Sequence, residues 1–233
     1  MSHIPYRSAL IIGAGPGISA SVTRMLRAAD IPVVIAARRT DKLDALVEQT
    51  GAIALAVDAS DASQVEKLFL ETEARIGAPE IVIYNASGRV RGPIAEIDPA
   101  EVERAVAVSA LGAFYAVQQA AKRMVPAGMG AILLTGATAG VKGFALSSAF
   151  AMGKFALRGL AQSAARELAP KGIHVAHIVV DGGVRAEHRA DPPDSPDSTL
   201  HPDAIAHTYI DLLRQHRSAW SWEIEVRPWV EKF

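Results

Sequence analysis

A glycine-rich turn is the first stretch of this sequence whose residue types and spacing suit chemistry. The run G-A-G-P-G-I-S at residues 13–19 follows an apolar stretch and leads directly into a helical pattern. Its glycines let the backbone turn tightly and approach a pyrophosphate, and the helix N-terminus presents free amides to that group. A strand–helix turn without a ligand is the alternative. The predicted pyrophosphate-binding residues are Gly13, Gly15, Gly17 and Ile18.

Two arginines follow the second apolar stretch, in the run I-A-A-R-R-T at residues 35–40. An acidic residue at this place binds the 2′-hydroxyl of an adenosine ribose and repels a 2′-phosphate. No carboxylate occurs before Asp41, whereas the guanidinium forks of Arg38 and Arg39 suit a phosphate. We therefore expect NADP(H) in preference to NAD(H). The alternative is that both arginines are solvated surface charges.

The composition suits one domain with a large core. The chain has 233 residues, of which 50% are hydrophobic, and its net charge is −1. A balanced charge without a basic block argues against nucleic acid or an anionic membrane as a partner. The absence of cysteine excludes disulfides and thiolate metal sites, and we predict no metal. Because no apolar run reaches the roughly 18 residues of a membrane span, we expect a cytoplasmic protein.

Strands and helices are predicted to alternate along the chain. Nearly continuous apolar runs predict buried strands, and the segments between them predict helices. Together they predict a single α/β domain over residues 1–233, with a doubly wound, Rossmann-like parallel sheet of about seven strands and helices on both faces. The predicted strands are residues 9–12, 32–36, 53–57, 81–84, 131–135, 173–180 and 222–226. The predicted helices lie at 20–28, between Thr40 and Gly51, between Asp61 or Ser63 and Gly77, from Asp98 to Met124, at 149–168 and at 202–215.

A second motif lies at the start of the helix predicted at residues 149–168. The run S-A-F-A-M-G-K resembles the Y-x-x-x-K signature of the short-chain dehydrogenase/reductase family, with Phe150 at the tyrosine and Lys154 at the lysine. The glycine turn resembles the family's T-G-x-x-x-G-x-G, with Ser19 at the final glycine. The resemblance extends to about residue 184 and implies hydride transfer with a nicotinamide cofactor. In that family the tyrosine exchanges a proton with the substrate oxygen, which phenylalanine cannot do.

The resemblance implies a catalytic set of Asn, Ser, Tyr and Lys, of which this chain retains only Lys154. Thirteen residues before Phe150, Ala137 stands at the serine, and the run S-A-L-G puts Ser109 at the asparagine. In the family the lysine also holds the nicotinamide ribose. The turn after the sixth strand is D-G-G, which places Gly182 among the cofactor contacts.

Two strand-end turns are implied to hold the adenosine half of the cofactor. Asp58, in A-V-D-A-S, would receive the adenine amino group, and a loop or helix-capping aspartate is its alternative. Asn85 and Ala86, in Y-N-A-S-G, match the family's N-N-A-G beside the adenosine ribose.

Several groups are candidates to replace the missing acid. They are a water on Lys154, Tyr84, His177, Asp181, Ser147 and Ser148. Asp181 ends the sixth strand near the expected nicotinamide, and a turn-forming aspartate is its alternative. His177 can equally be a hydrogen-bonded core histidine, and either serine a helix cap. Two functions follow. One is an NADP(H)-dependent oxidoreductase of a small carbonyl or alcohol with a modified proton route, and the other is a non-catalytic nucleotide-binding sensor or partner subunit.

Two further expectations concern the surface. The segment at residues 184–203 is rich in Pro, Asp and Ser, which predicts a mobile lid or, alternatively, a disordered loop. Residues 106–124 are apolar over more than one helical face, which favours a homodimer or homotetramer. A helix sandwiched within its own core is the alternative.

Overall fold

The computed structural model describes residues 3–231, in which seven strands form one parallel sheet of order β3-β2-β1-β4-β5-β6-β7. The predicted fold class is confirmed, and each strand lies within one residue of its predicted bounds. The strands are β1 Ala9–Ile12, β2 Val33–Ala37, β3 Ile53–Ala56, β4 Ile81–Tyr84, β5 Gly130–Thr135, β6 Ile173–Val180 and β7 Glu223–Val226. The single domain over residues 1–233 stays a prediction, and its four terminal residues lie outside the described range.

In the described part of the chain, seven α-helices cover the two faces of the sheet. They are α1 Ile18–Ala28, α2 Asp44–Thr50, α3 Ala62–Ile76, α4 Pro99–Val106, α5 Gly112–Ala127, α6 Ser148–Leu168 and α7 Pro202–Leu213. Ala9 and Ile11 of β1 pack in a core with α1 and α7. Leu10 and Ile12 point the other way, into a second core with α3, α5 and α6. The strands are therefore buried on both faces, which explains their continuous apolar runs.

Two of the cap residues predicted from the sequence form side-chain cap hydrogen bonds. Asp61 accepts hydrogen bonds from the first-turn amides of α3, and Asp98 does the same for α4. Thr40 and Ser147 stand at cap positions but form no side-chain cap hydrogen bond. Ser147 is therefore the N-cap residue of α6, but its hydroxyl does not cap the helix.

The long helix predicted from Asp98 to Met124 is interrupted. A π-helical turn at Ala107–Leu111 separates α4 from α5, and α5 runs on to Ala127. This turn is tied to the end of β4, because Tyr84 Oη donates to Val108 O and Gly88 N donates to Ser109 Oγ at 2.9 Å. Such bulges commonly occur at functional sites, and apolar periodicity alone does not predict them.

The segment after β6 is irregular but hydrogen-bonded. Asp191 accepts from the amides of Asp197 at 2.9 Å and Thr199 at 2.8 Å, and it also pairs with Arg185. A short bridge joins Val184 to Leu200. Motion of this segment as a lid stays a prediction. Within residues 3–231, no helix combines the length and apolar character that crossing a membrane requires.

Candidate functional site

The carboxyl ends of β1 and β4 are adjacent although the two strands are far apart in the chain. In open parallel sheets, ligands bind at this kind of reversal in strand order. Two cavities of about 680 Å³ and about 690 Å³ lie along this edge, and Asn85 and Ser87 line both. We call them the β1 cleft, which is lined by the glycine turn, and the Lys154 cavity.

The backbone of the glycine turn is fixed at Gly13. Its φ of +87° is one that side-chain-bearing residues rarely adopt, and an added Cβ would lie 2.2 Å from Ala86 N. Gly13 N and Ala14 N both donate to Ala36 O at 2.9 Å. Only glycine can therefore join β1 to α1 while the β4 turn approaches this closely.

Ser19 and Asn85 lock this turn from the inside. Asn85 Nδ2 donates to Ser19 Oγ at 2.7 Å and to Gly13 O at 3.3 Å, and Ser19 Oγ donates to Gly13 O at 3.1 Å. Sequence reasoning treated Ser19 as a tolerated replacement for a glycine and missed this bridge. The sequence signal for this bridge was a small hydroxyl-bearing residue after the first strand together with an asparagine at the end of the neighbouring strand.

The N-terminus of α1 fits a pyrophosphate. Gly17 caps α1 without a side-chain hydrogen bond, and the first turn contains no acidic residue. An added Cβ at Gly15 or Gly17 would meet no atom within 4 Å, so open space lies beside these backbones. Ile18 reaches the Lys154 cavity, whereas Gly13 and Gly15 line the β1 cleft. Free amides beside an open cradle are the donor set that a phosphate requires.

The far side of the β1 cleft carries three cationic side chains. Arg38, Arg39 and Lys42 line it, and sequence reasoning missed Lys42 although it lies only four residues after Arg38. Arg39 is engaged by Asp41, with Nη2–Oδ2 at 2.6 Å and Nε–Oδ1 at 3.1 Å. Arg38 forms no ion pair within the described chain, so its fork is the freer of the two.

Asp58 lines the same cleft as the resemblance implies, but its carboxylate is already engaged. Oδ1 accepts from Ser60 N at 2.9 Å and from Ser60 Oγ at 2.6 Å. These hydrogen bonds hold the pKa of Asp58 below its usual range. Asp58 therefore forms a local turn and remains partly exposed to the cleft, while Asp61 is the helix cap. Ala86 completes this wall.

Lys154 contributes a buried charge to the second cavity. Its side chain projects from α6, only 3% of the residue is exposed, and Nζ donates to Thr135 O at 2.7 Å. Burial lowers the pKa of Lys154 to about 8, with a smaller contribution from Arg89. The ammonium therefore releases its proton near pH 8, well below the pH at which an exposed lysine does so.

Phe150 lies one turn before Lys154 and also faces the cavity. Its ring centroid is 5.9 Å from Lys154 Nζ, and the Arg89 guanidinium lies over the same ring at 4.6 Å. Ala137 and Gly182 line the cavity as well. Sequence reasoning missed the three arginines of this cavity, which are Arg89, Arg91 and Arg189. The run R-V-R directly after the β4 turn was the available signal for two of them.

Two predicted catalytic positions lie outside this cavity. Ser109 is fully buried and accepts from Gly88 N, so it supports the loop after β4. Asp181 is buried too. Its carboxylate accepts from Thr138 Oγ1 and lies 3.4 Å from Arg227 Nη2. These contacts fit the alternative of a turn-forming aspartate, and the replacement of the acid by Asp181 stays a prediction.

Two other candidate acids are likewise core residues. Tyr84 is fully buried, and burial raises its pKa above the ordinary tyrosine value while its hydroxyl donates to Val108 O. His177 is also fully buried, with Nδ1 3.0 Å from Glu223 Oε2, and burial lowers its pKa. Neither lines the Lys154 cavity, whereas Ser147 does.

Similar sequences and structures exist among known dehydrogenases. The family model described as "short chain dehydrogenase" matches residues 7–194. The L-2,3-butanediol dehydrogenase of Corynebacterium glutamicum is 28% identical over 173 residues, which cover 70% of this chain and 67% of that protein. A short-chain dehydrogenase structure from Rhodopseudomonas palustris is 33% identical, with a TM-score of 0.81 over 96% of this chain and 99% of that one. A metagenomic short-chain oxidoreductase in complex with NADP is 28% identical, with a TM-score of 0.82 over 95% and 97%.

The buried charge of Lys154 predicts how stability depends on pH. The folded protein holds this proton with a pKa of about 8, against 10.5 for the free side chain, so the unfolded chain binds more protons between these values. Relative to a Lys154→Met variant, the wild type should therefore gain up to about 3 kcal/mol of unfolding free energy as pH rises through this window. Urea unfolding of both proteins at pH 7 and at pH 9.5 measures the difference. A pH-independent difference would show that Lys154 titrates normally.

Proposed function

Because the chain belongs to the short-chain dehydrogenase/reductase family, we propose that it is an NADP(H)-dependent oxidoreductase of a small carbonyl or alcohol compound with a modified proton route. The observation that carries the proposal is Lys154, a buried and readily deprotonated amine facing a cavity that adjoins the glycine turn. When bound, the nicotinamide supplies or accepts the hydride. Reduction of the carbonyl also consumes one proton, which must come from the protein or from water.

The binding of the cofactor is assigned to both cavities. The amides at the α1 N-terminus would hold the pyrophosphate, and Asp58 with the Asn85–Ala86 turn would hold the adenosine. Lys154 and Gly182 would contact the nicotinamide half. Arg38 would pair with a 2′-phosphate. Arg39 contributes less, because its exposed pair with Asp41 must first be broken.

Lys154 is the proposed source of the proton. Phe150 and Ala137 stand at the family's tyrosine and serine positions, and neither side chain can donate a proton. A water between Lys154 Nζ and the substrate oxygen would complete the route, since the Nζ lies beside the cavity wall. Reduction requires the ammonium form, so it should slow above pH about 8, whereas alcohol oxidation requires the neutral amine and should accelerate there.

A second function is favoured by one observation. The cavity offers no hydroxyl at position 137 or 150, and a general acid commonly contributes about 10²–10⁴-fold to rate. A chain that binds NADP(H) and turns over nothing would act as a sensor or as the partner of an active subunit. Brisk turnover excludes this function, and cofactor binding without turnover favours it.

The cofactor assignment predicts unequal effects of the two neighbouring arginines. We expect NADPH to bind more tightly than NADH, and Arg38→Ala to weaken NADPH binding about tenfold or more, since a charge-assisted pair is lost. Arg39→Ala is the matched control and should have a smaller effect, because Asp41 already neutralises that side chain. Calorimetric titration measures these affinities. Tighter binding of NADH contradicts the preference, and no binding of either cofactor at millimolar concentration contradicts the site.

Restoring the family's two hydroxyls should restore its proton route. The Ala137→Ser, Phe150→Tyr variant adds two hydroxyls and little volume. Lys154 and Arg89 beside the ring should lower the pKa of the new phenol. We expect NADPH-dependent carbonyl reduction to rise about tenfold or more, and the added Lys154→Met change to remove the gain. Wild-type turnover of about 1 s⁻¹ or faster that survives Lys154→Met would instead show that another acid operates.

We also propose a homodimer or homotetramer formed through α5 and α6. Phe114 on α5 and Met152 and Phe155 on α6 are 46%, 55% and 45% exposed, which is unusual for large apolar side chains on two neighbouring helices. A Phe114→Glu, Phe155→Glu variant should be monomeric by light scattering. Leu70→Glu, at an exposed position of α3, is the control and should leave the assembly intact. A monomeric wild type at micromolar concentration refutes the proposal.

A further inference from the structure

The Lys154 cavity is lined by cations and lacks carboxylates. Its charged lining residues are Arg89, Arg91, Lys154 and Arg189, and no Asp or Glu lines it. Within residues 3–231, neither Arg89 nor Arg91 forms an ion pair. Burial lowers the pKa of Lys154, and the charge of Arg89 lowers it further, so these two cations repel each other. An anion in the cavity would relieve this repulsion.

The arginines approach the cavity from two walls. Arg89 and Arg91 come from the loop after β4, and the Arg89 guanidinium lies 4.6 Å from the centroid of the Phe150 ring. Such stacking orients a guanidinium while leaving its edge free to bind an anion. Arg189 comes from the segment after β6 and lies across Gly183, where an added Cβ would be 3.1 Å from Arg189 Cδ. An anionic group between these walls therefore has donors on both sides.

We propose that the substrate carries a carboxylate or phosphate group, which Arg89, Arg91 and Arg189 hold at the Lys154 cavity. This inference rests on the proposed function, because it names the substrate class for the same site. The pyrophosphate of the cofactor is assigned to the α1 N-terminus, and a 2′-phosphate to Arg38. The three cavity arginines are thus left for a second anion, for which the guanidinium fork supplies bidentate hydrogen bonds.

Matched pairs of carbonyl compounds test this inference by calorimetric titration of the NADP⁺-loaded protein. Phenylglyoxylate is compared with its methyl ester, and dihydroxyacetone phosphate with dihydroxyacetone, so that carboxylate and phosphate are tested separately. We expect at least one anion to bind about tenfold more tightly than its neutral partner. Arg89→Gln and Arg91→Gln should each lower the affinity for that anion about tenfold. Arg166→Gln removes the same charge from an exposed position of α6 and is the control.

The same titrations without cofactor separate this inference from the proposed function. An anion preference in a protein that does not bind NADP⁺ supports the inference and removes the proposed function. The inference is overturned if the anionic compound and its neutral counterpart bind equally tightly. It is also overturned if Arg166→Gln weakens binding of the anion as much as Arg89→Gln and Arg91→Gln do. If Arg89→Gln lowers the affinity for NADP⁺ and leaves the anion preference unchanged, the arginines bind the cofactor and the inference is wrong.

Discussion

The buried ammonium of Lys154, at the wall of the Lys154 cavity, takes part in hydrogen bonds that join α6, β5 and α7. Lys154 Nζ donates to Thr135 O at 2.7 Å, while Thr135 Oγ1 is 2.7 Å from Tyr209 Oη. One residue at the end of β5 therefore connects α6 on one face of the sheet to α7 on the other. Burying an ammonium costs free energy, so buried charged groups of this kind are found mainly at functional sites. The proposed proton route depends on this buried amine, and its charge adds to that of the cavity arginines.

The two halves of the site differ in how firmly the fold determines them. The glycine-turn wall of the β1 cleft is built from backbone, and Gly13 together with the Ser19–Asn85 bridge leaves this wall little freedom. The charged side chains of the Lys154 cavity come from two loops and from α6. Its positive lining contrasts with a chain whose net charge is −1, so the charge is concentrated where ligands would bind. The apolar ring of Phe150 is one on which Arg89 stacks, and this contact holds a guanidinium beside the cavity.

Sequence predicted the strands, most helix bounds and the residues of the glycine turn, because these follow from apolar periodicity and from local backbone demands. It did not predict contacts made across the fold. The π-helical turn at Ala107–Leu111 depends on Tyr84, which lies more than twenty residues earlier. Asp181 is well placed by its position at a strand end, yet its partner Thr138 comes from another loop. The cavity arginines come from two loops that only the sheet order brings together. A charge pattern made by residues that are distant in the sequence cannot be predicted from any short stretch of the chain.

The pKa of the Lys154 amine tests the account most directly, because the proton route depends on it and because it responds to the charge in the cationic cavity. NMR titration of ¹³Cε-labelled lysine, with the signal assigned through the Lys154→Arg variant, measures this value without any substrate. The account predicts a midpoint near pH 8. It also predicts an upward shift of that midpoint when phenylglyoxylate or dihydroxyacetone phosphate binds, since an anion favours the ammonium form. A midpoint at the ordinary lysine value, unchanged by either anion, would contradict it.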